Sequence, residues 1–422
     1  MIREIQLRNW KSFQEATLYF DPFVVLIGTN ASGKSNVIDA LDFLSRIAQS
    51  KDLAECLQGS GNGETFRGGV EWVTRRGQDE FSLAVVVGAE GEEGIDYHYE
   101  ITVRPAPRPI VTAESLSRIK RKKRGTRETS IRLFWTEECS EEEPAIPTRL
   151  YNGKSGTMRS MQRGLPMLTQ FQLSSTSIKT AEITAGIRAV WQALTRLFIL
   201  NPIPSHMRSF SPKAQRLTQD ASNLAGVIAT LPKDEKAKVE QTILGYVRDL
   251  PEKDIQSLHA ELTGPFKDFA VLVCKEGWQS GEKAMEVDSR AMSDGTLRFI
   301  AITAALLTLP EHTQLVIEEV DNGLHPSRSD LLLRMIREVG ARRKVDVLCS
   351  THNPALLDAL GPEMTPFVVV AHRGDGGDSR LTLLEDVRQL PKLLSSGRLG
   401  SLATSGELEK TLKQEVADDD LL

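Results

Sequence analysis

The sequence predicts an α/β fold: a mainly parallel sheet flanked by helices, with an antiparallel β-subdomain and a helical insertion. Three observations predict it. An apolar run at 23–27 leads through a glycine-rich loop into a helical apolar pattern. Further apolar runs at 314–317 and 345–350 have the length of buried strands. The alternating segments 81–87 and 97–103, separated by glycine- and glutamate-rich turns, are typical of antiparallel strands.

Length, charge and cysteine content limit the class of protein. The 422 residues suffice for one large domain or two ordinary ones. A net charge of −5 gives no global signature of nucleic-acid binding, which would require a local basic patch. No apolar run approaches membrane-spanning length. The scattered cysteines argue against a zinc site or a disulfide framework and predict a reducing, cytoplasmic location: Cys56, Cys139, Cys274 and Cys349.

The glycine-rich loop G-T-N-A-S-G-K-S, which starts at Gly28, fits the P-loop pattern G-x-x-x-x-G-K-[ST]. Gly28 and Gly33 permit backbone angles that a Cβ would obstruct, so that the N–H groups of the loop, Asn30 included, can face phosphate oxygens. Lys34 would reach the β- and γ-phosphates, and the Ser35 hydroxyl would ligate Mg²⁺. The flanking strand and helix favour this interpretation over a chance match.

A basic run, R-I-K-R-K-K-R-G-T-R from Arg118 to Arg127, is followed by an acidic block between Glu137 and Glu143. One interpretation is a solvated hairpin or loop whose two charge blocks pair loosely. The other is a contact with a nucleic-acid phosphate backbone. Because no aromatic residue is interleaved in the basic run, the first interpretation is favoured.

A second candidate anion site begins at Ser293, in the tetrapeptide S-D-G-T before an alanine- and leucine-rich run. A small hydroxyl residue and a glycine, here Ser293 and Gly295, at the start of a helix can bind phosphate oxygens. Alone, the tetrapeptide is a common turn. Its position between a P-loop and a strand that ends in carboxylates makes it a candidate nucleotide contact.

The strand at 314–317 ends in two adjacent carboxylates, Glu318 and Glu319. Because successive side chains of a strand point to opposite faces, the two should point in different directions. One can then hold a Mg²⁺ shell while the other orients the attacking water. The next strand, at 345–350, is followed by His352 in the sequence T-H-N-P.

These motifs, in their order, resemble ABC-type AAA ATPases of the RecF, structural-maintenance-of-chromosomes (SMC) and OLD (overcoming lysogenisation defect) group. The N-terminal N-W-K-S-F, the P-loop, S-D-G-T, and D-N-G-L-H-P after the carboxylates carry the resemblance. It implies ATP and Mg²⁺ as cofactors, with Glu318 in the metal position and Glu319 as general base. It also implies that His352 contacts the γ-phosphate and that Lys11 lies near the nucleotide. The usual metal-side residue is aspartate, so Glu318 departs from the pattern.

The resemblance implies an ATPase head built from 1–129 and 263–390, with 130–262 as a largely helical insertion and 391–422 as a polar tail. The region 233–262 is expected to be a short helical hairpin. The C-terminal part is too short for the Toprim nuclease domain of many OLD proteins, so the resemblance is to a stand-alone OLD-like ATPase.

Three functions follow from the resemblance. The first is an ATPase that forms a homodimer, or a higher even-numbered oligomer, and controls an effector encoded nearby, such as a nuclease, in defence against phage or mobile DNA. The second is a DNA repair or recombination ATPase that binds nucleic acid itself. The third, ranked last, is the motor of a transporter, for which no glutamine loop can be placed. A membrane is not an expected partner of the first two.

Overall fold

The structure, a computed structural model, describes residues 1–49, 52–58, 67–92, 94–121, 129–140, 142–173, 180–250, 255–277 and 285–419, the last six of these by their backbone. Most of the basic run, at 122–127, lies outside the described residues.

The strands of the described chain fall into three sheets. In chain order they are β1 (Ile2–Arg8), β2 (Glu15–Tyr19), β3 (Phe23–Ile27), β4 (Phe81–Gly88), β5 (Ile95–Arg104), β6 (Ile110–Lys120), β7 (Thr129–Thr136), β8 (Ala145–Leu150), β9 (Thr157–Gln162), β10 (Leu197–Leu200), β11 (Ser211–Pro212), β12 (Ile255–Thr263), β13 (Phe269–Glu276), β14 (Met285–Asp288), β15 (Gln314–Ile317), β16 (Asp346–Ser350), β17 (Val368–Arg373) and β18 (Ser379–Leu383).

The helices pack on these sheets. They are α1 (Lys34–Gln49), α2 (Leu53–Gln58), α3 (Met167–Leu173), α4 (Ala181–Thr195), α5 (Pro204–Met207), α6 (Leu224–Thr230), α7 (Lys233–Arg248), α8 (Asp294–Thr308), α9 (Ser329–Arg343), α10 (Pro354–Ala359), α11 (Leu390–Ser396), α12 (Leu399–Ser405) and α13 (Glu407–Asp419). Short 3₁₀ turns occur at Val70–Trp72, Pro326–Arg328, Pro362–Phe367 and Leu384–Asp386.

The parallel sheet positions the predicted motifs. Its strand order is β10-β15-β16-β3-β17-β18, and every neighbouring pair is parallel except the β17–β18 hairpin. Parallel strands end at the same edge of a sheet. The P-loop after β3, the carboxylates after β15 and the histidine segment after β16 therefore lie along one edge.

The core lies on both faces of this sheet. In β3, Val25 and Ile27 pack against one apolar cluster with α8 and α9, whereas Val24 and Leu26 pack against the other with α1. Strands buried on both faces read as continuous apolar runs, which explains the composition of β3. α1 is apolar on most of its circumference because it lies between this sheet and the antiparallel one.

The antiparallel subdomain has eight strands in the order β2-β1-β4-β5-β6-β7-β8-β9. A smaller sheet joins β11, β13 and β12, with β14 paired to β13. The predicted α/β class, the mainly parallel sheet and the antiparallel subdomain are confirmed.

The extent of the helical insertion differs from the expected 130–262. β7, β8 and β9 extend the antiparallel sheet, and helices follow only from α3 onwards. The expected helical hairpin at 233–262 is wrong, since α7 is one helix and β12 is a strand. In β12, Leu258 and Ala260 are buried at a spacing of two, the strand period that the charged surroundings obscured.

The C-terminal segment after residue 390 is more than a polar tail. It forms α11, α12 and α13, and α12 packs against α10. Leu402, Leu408 and Leu412 are buried, the last two at a helical spacing of four residues. The segment is polar in overall composition, but its buried leucines pack it against the head.

A buried carboxylate, Glu114 of β6, links the antiparallel sheet to α3. Its oxygens accept hydrogen bonds from the Tyr99 hydroxyl (3.0 Å) and from the backbone N–H groups of Met167 and Leu168 (2.7 Å each). Glu114 is buried, and this burial raises its pKa from 4.5 to about 7 against the opposing effect of these hydrogen bonds.

We expect Glu114 to make stability depend on pH. Because its pKa in the folded chain exceeds the unfolded value, its contribution is fully present below pH 4.5 and is lost as the pH rises through about 7. The loss is on the order of 3 kcal/mol. Urea unfolding across this range should show a smaller pH dependence for Glu114→Gln than for the native chain. Equal pH dependence of the two would contradict the assignment.

Candidate functional site

The P-loop lies between the carboxyl end of β3 and the first turn of α1. Gly28 and Gly33 have φ angles of 144° and 116°. A Cβ would lie 2.2 Å from the carbonyl oxygen of Ala371 at the first position and 2.6 Å from Ser379 Oγ at the second. Asn30 is exposed on the loop. The loop thus requires both glycines and leads into the N-terminus of a 16-residue helix, the arrangement that binds anions.

Lys34 crosses this loop. Its Nζ donates hydrogen bonds to the carbonyl oxygens of Gly28 (2.6 Å) and Thr29 (2.9 Å). Its side chain is only 8% exposed, and this burial lowers its pKa, while the carboxylates of Glu319 and Glu318 act in the opposite direction. A buried cation held beside the loop backbone is suited to binding a phosphate group.

Glu318 faces the P-loop helix. Its Oε1 accepts a hydrogen bond from Ser35 Oγ at 2.5 Å, so the two predicted metal ligands lie together. No group of three or more His, Cys, Asp or Glu side chains in the described chain is arranged to hold a metal ion. A divalent ion here would use Ser35, Glu318, water and nucleotide phosphates, the mixed oxygen set that Mg²⁺ prefers. The donor atoms fit Mg²⁺.

Arg67 is a residue of this site that sequence reasoning missed. Its Nη2 contacts the other oxygen of Glu318 at 2.5 Å. Burial by itself lowers the pKa of Arg67, but the hydrogen bond and charge of Glu318 outweigh it and raise the pKa. The backbone carbonyl of Arg67 also accepts a hydrogen bond from Lys11, whose Nζ pairs with Asp39 of α1 at 2.5 Å. No motif surrounds Arg67, so the sequence offered no signal for it.

Both carboxylates follow the end of β15 instead of lying within the strand, so the expected strand alternation does not apply to them. Glu319 has partners different from those of Glu318. Its Oε1 lies 3.6 Å from Nδ1 of His352, and both side chains are partly exposed. Its backbone has a φ of 46°, in the left-handed region, and its N–H donates to Ser350 Oγ at 3.0 Å. The predicted base and the predicted histidine therefore lie side by side at the edge where β15 and β16 end.

The S-D-G-T segment forms the start of α8. Ser293 caps the helix by accepting a hydrogen bond from the Thr296 N–H at 3.1 Å. A Cβ on Gly295 would lie 2.6 Å from the carbonyl oxygen of Gly323, so the helix start abuts the loop after the carboxylates. In the described structure Ser293 contacts Thr296 and Gly295 lies against Gly323, whereas Lys34 donates its hydrogen bonds to its own loop.

Arg298, one turn into α8, is the second residue that sequence reasoning missed. It is buried, and its guanidinium contacts the carbonyl oxygens of Glu318 and Glu319. An arginine within an apolar helix was an available signal, because a buried charge needs partners.

Comparisons with known proteins agree with this geometry. The sequence matches the family described as "AAA domain, putative AbiEii toxin, Type IV TA system" at residues 23–145 and 192–358, more than half of the chain. A search of curated proteins finds no match. None of the described helices is long and apolar enough to cross a membrane.

Three solved structures of SMC heads match this chain. An SmcHead bound to the C-winged helix domain of ScpA has 14% identity and a TM-score of 0.51, over 90% of this chain and 97% of that one. The SMC head domain from Thermotoga maritima has 13% identity and a TM-score of 0.41, over 90% and 98%. A Pyrococcus furiosus Smc head with bound ScpA C-terminal domain has 12% identity and a TM-score of 0.45, over 93% and 99%.

The first of these structures shows an SMC-head-like α/β fold, which is that of a P-loop ABC-type ATPase head. The match over the P-loop, β15, β16 and α8 shows the family. This chain belongs to the AAA-domain family described as putative AbiEii toxin, Type IV TA system, and has the fold of an ABC-type ATPase head.

Proposed function

We propose that this chain binds and hydrolyses ATP with Mg²⁺ and that the ATP cycle closes and opens a dimer. The observation that carries the proposal is the division of the two adjacent carboxylates. Glu318 contacts Ser35 of the P-loop helix, whereas Glu319 contacts His352. This division supports Glu318 as a metal ligand and Glu319 as the group that orients the attacking water.

The residues of the site then have distinct tasks. The loop N–H groups and Lys34 bind the phosphates, and bound Mg²⁺ neutralises charge on them. Glu319 takes the proton of the attacking water, while His352, 3.6 Å away, orients that carboxylate and contacts the γ-phosphate.

The contacts of the S-D-G-T segment support the proposed dimer. Ser293 bonds to Thr296, and Gly295 lies against Gly323, while Lys34 bonds within its own loop. We propose that each segment contacts the ATP held by Lys34 of a second copy. A two-fold symmetric dimer would complete both nucleotide sites at once, because the same surface of each chain meets that of the other.

We further propose that closure controls an effector protein, a nuclease, in defence against phage or mobile DNA. The family description names a putative toxin of a toxin–antitoxin system, and one similar SMC head carries a bound partner domain. A Toprim or HNH nuclease in the neighbouring reading frame would support this role. A neighbouring permease would contradict it and favour a transporter motor.

Direct action on DNA is the alternative. The basic run would supply its phosphate contacts, but two of its arginines pair with carboxylates: Arg118 with Glu182 at 2.9 Å and Arg121 with Asp96 at 2.8 Å. The described part of the run therefore favours the structural interpretation over a nucleic-acid contact.

The proposal is tested first by ATP binding. Lys34→Ala should abolish ATP binding, since it removes the charge-assisted contact to the phosphates. Calorimetry with ATP and Mg²⁺ measures this, alongside hydrolysis by the native chain. Lys154→Ala, at an exposed lysine of the antiparallel subdomain, is the matched control and should bind normally. Equal ATP affinity for both variants, or no binding to the native chain, would refute the assignment.

A further inference from the structure

The guanidinium of Arg298 connects α8 to the peptides of both catalytic carboxylates. The side chain is 5% exposed. Nη2 donates to the carbonyl oxygens of Glu318 (3.2 Å) and Glu319 (3.3 Å), and Nη1 donates to that of Pro202 (3.2 Å). Nη2 also lies 3.5 Å from Asn201 Oδ1 at the end of β10. Carbonyl oxygens compensate the buried positive charge of Arg298. The buried guanidinium is stable only while these oxygens remain within hydrogen-bonding distance.

The peptide that Arg298 holds is strained. Glu319 has a φ of 46°, a conformation that is unfavourable for a residue with a Cβ and persists only where the surroundings impose it. Three groups do so. Ser350 Oγ accepts from the Glu319 N–H (3.0 Å), and the Glu319 carbonyl accepts from Arg298 and from the Asn322 N–H (2.9 Å). Of these, only Arg298 belongs to α8.

The start of α8 is the segment that the proposed dimer places against the partner's ATP. Arg208 ties the same segment to the connector after α5, through Asp294 Oδ1 (2.7 Å) and the Met292 carbonyl oxygen (2.8 Å). If α8 shifts when the dimer closes, the Arg298 guanidinium would therefore transmit the shift to the Glu319 peptide, which it contacts directly.

We propose that Arg298 is a positioning residue: it sets the strained Glu319 peptide according to the position of α8, so that closure of the dimer at one end of α8 determines where the base points. The inference rests on the proposed function. It adds a regulatory connection between the S-D-G-T segment of a chain and that chain's own Glu319.

Arg298→Met tests the connection, because methionine fills similar space without the guanidinium. Hydrolysis should fall on the order of 10²-fold, the effect of misplacing a catalytic group by about 1 Å. ATP affinity should stay within about 3-fold, since Lys34 and the loop are untouched. Arg163→Met is the matched control: Arg163 is 3% exposed and donates to the Ser140 carbonyl oxygen (2.9 Å) in the antiparallel subdomain. It should change thermal stability comparably and hydrolysis little.

A double-mutant cycle separates positioning from a general loss of structure. In a Glu319→Gln background, Arg298→Met should lower the residual hydrolysis by less than about 3-fold, because the group it positions is already absent. Ser350→Ala, which removes another support of the same peptide, should also lower the rate without weakening ATP binding. An equal loss from Arg298→Met in both backgrounds would overturn the proposal.

Hydrogen exchange of the nucleotide-free protein tests the role of Arg298 independently of hydrolysis. Amides at 318–324 should exchange at least about 10-fold faster in Arg298→Met than in the native chain, with the P-loop at 28–35 unchanged. Unchanged exchange at 318–324, or equal acceleration in both segments, would overturn the role of Arg298. Absence of hydrolysis by the native chain would instead refute the proposed function and leave the exchange result to decide on Arg298.

Discussion

Glu319→Gln should slow ATP hydrolysis by about 10²- to 10⁴-fold, the usual effect of removing a positioned general base. Glutamine keeps the size of the side chain but cannot take a proton from water. ATP binding should be retained, because the hydrogen bonds of Lys34 to the loop and the Ser35–Glu318 contact do not involve this side chain. Single-turnover hydrolysis and equilibrium ATP binding measure the two effects separately.

Glu318→Gln is the matched control, since it alters the neighbouring carboxylate that contacts Ser35 and Arg67. It should weaken binding of ATP with Mg²⁺ more than binding of ATP alone, as expected for a metal ligand. Normal hydrolysis by Glu319→Gln would show that the base is assigned to the wrong carboxylate, with Glu318 the next candidate.

Ser293→Arg should abolish hydrolysis, by at least about 100-fold, while leaving ATP binding to the isolated chain intact. The bulky cation would block the surface that the proposal places against the partner's nucleotide. The substitution also removes a helix cap, which costs about 1 kcal/mol. Thr180→Arg controls for this, because Thr180 caps α4 in the same way, through the Ile183 N–H, in the antiparallel subdomain. Hydrolysis by Ser293→Arg at the rate of the control would contradict the shared site.

Motifs whose chemistry is local were predictable from the sequence. The P-loop needs two glycines, a lysine and a hydroxyl at fixed spacing, and β3 shows its double-sided burial as an unbroken apolar run. Each of these features forms from a few consecutive residues, so the residue types and their spacing predict it.

Features decided by tertiary contacts were not predictable. β9 has no buried residue, and in β7 only the adjacent Leu133 and Phe134 are buried, so neither strand shows a clear apolar alternation. Arg67 reaches Glu318 across the fold, at a separation of 251 residues. Arg298 is visible in the sequence as a charge in an apolar run, but its partners are backbone carbonyls, which no side-chain pattern reveals.

The central claim, that two chains share each nucleotide site, is tested most directly by mixing two variants. Lys34→Ala keeps its S-D-G-T segment but binds no ATP, and Ser293→Arg binds ATP but offers no working segment. Both carry Glu319→Gln so that ATP persists, and each bears a different fluorescent label. Association is followed by energy transfer with ATP and Mg²⁺.

The shared site predicts that neither variant associates with itself, whereas a mixture associates on addition of ATP through one intact composite site. Chains with Glu319→Gln alone give the reference signal for two intact sites. ATP-dependent self-association of Ser293→Arg, or no association of the mixture under conditions where the reference chains dimerise, would contradict the account.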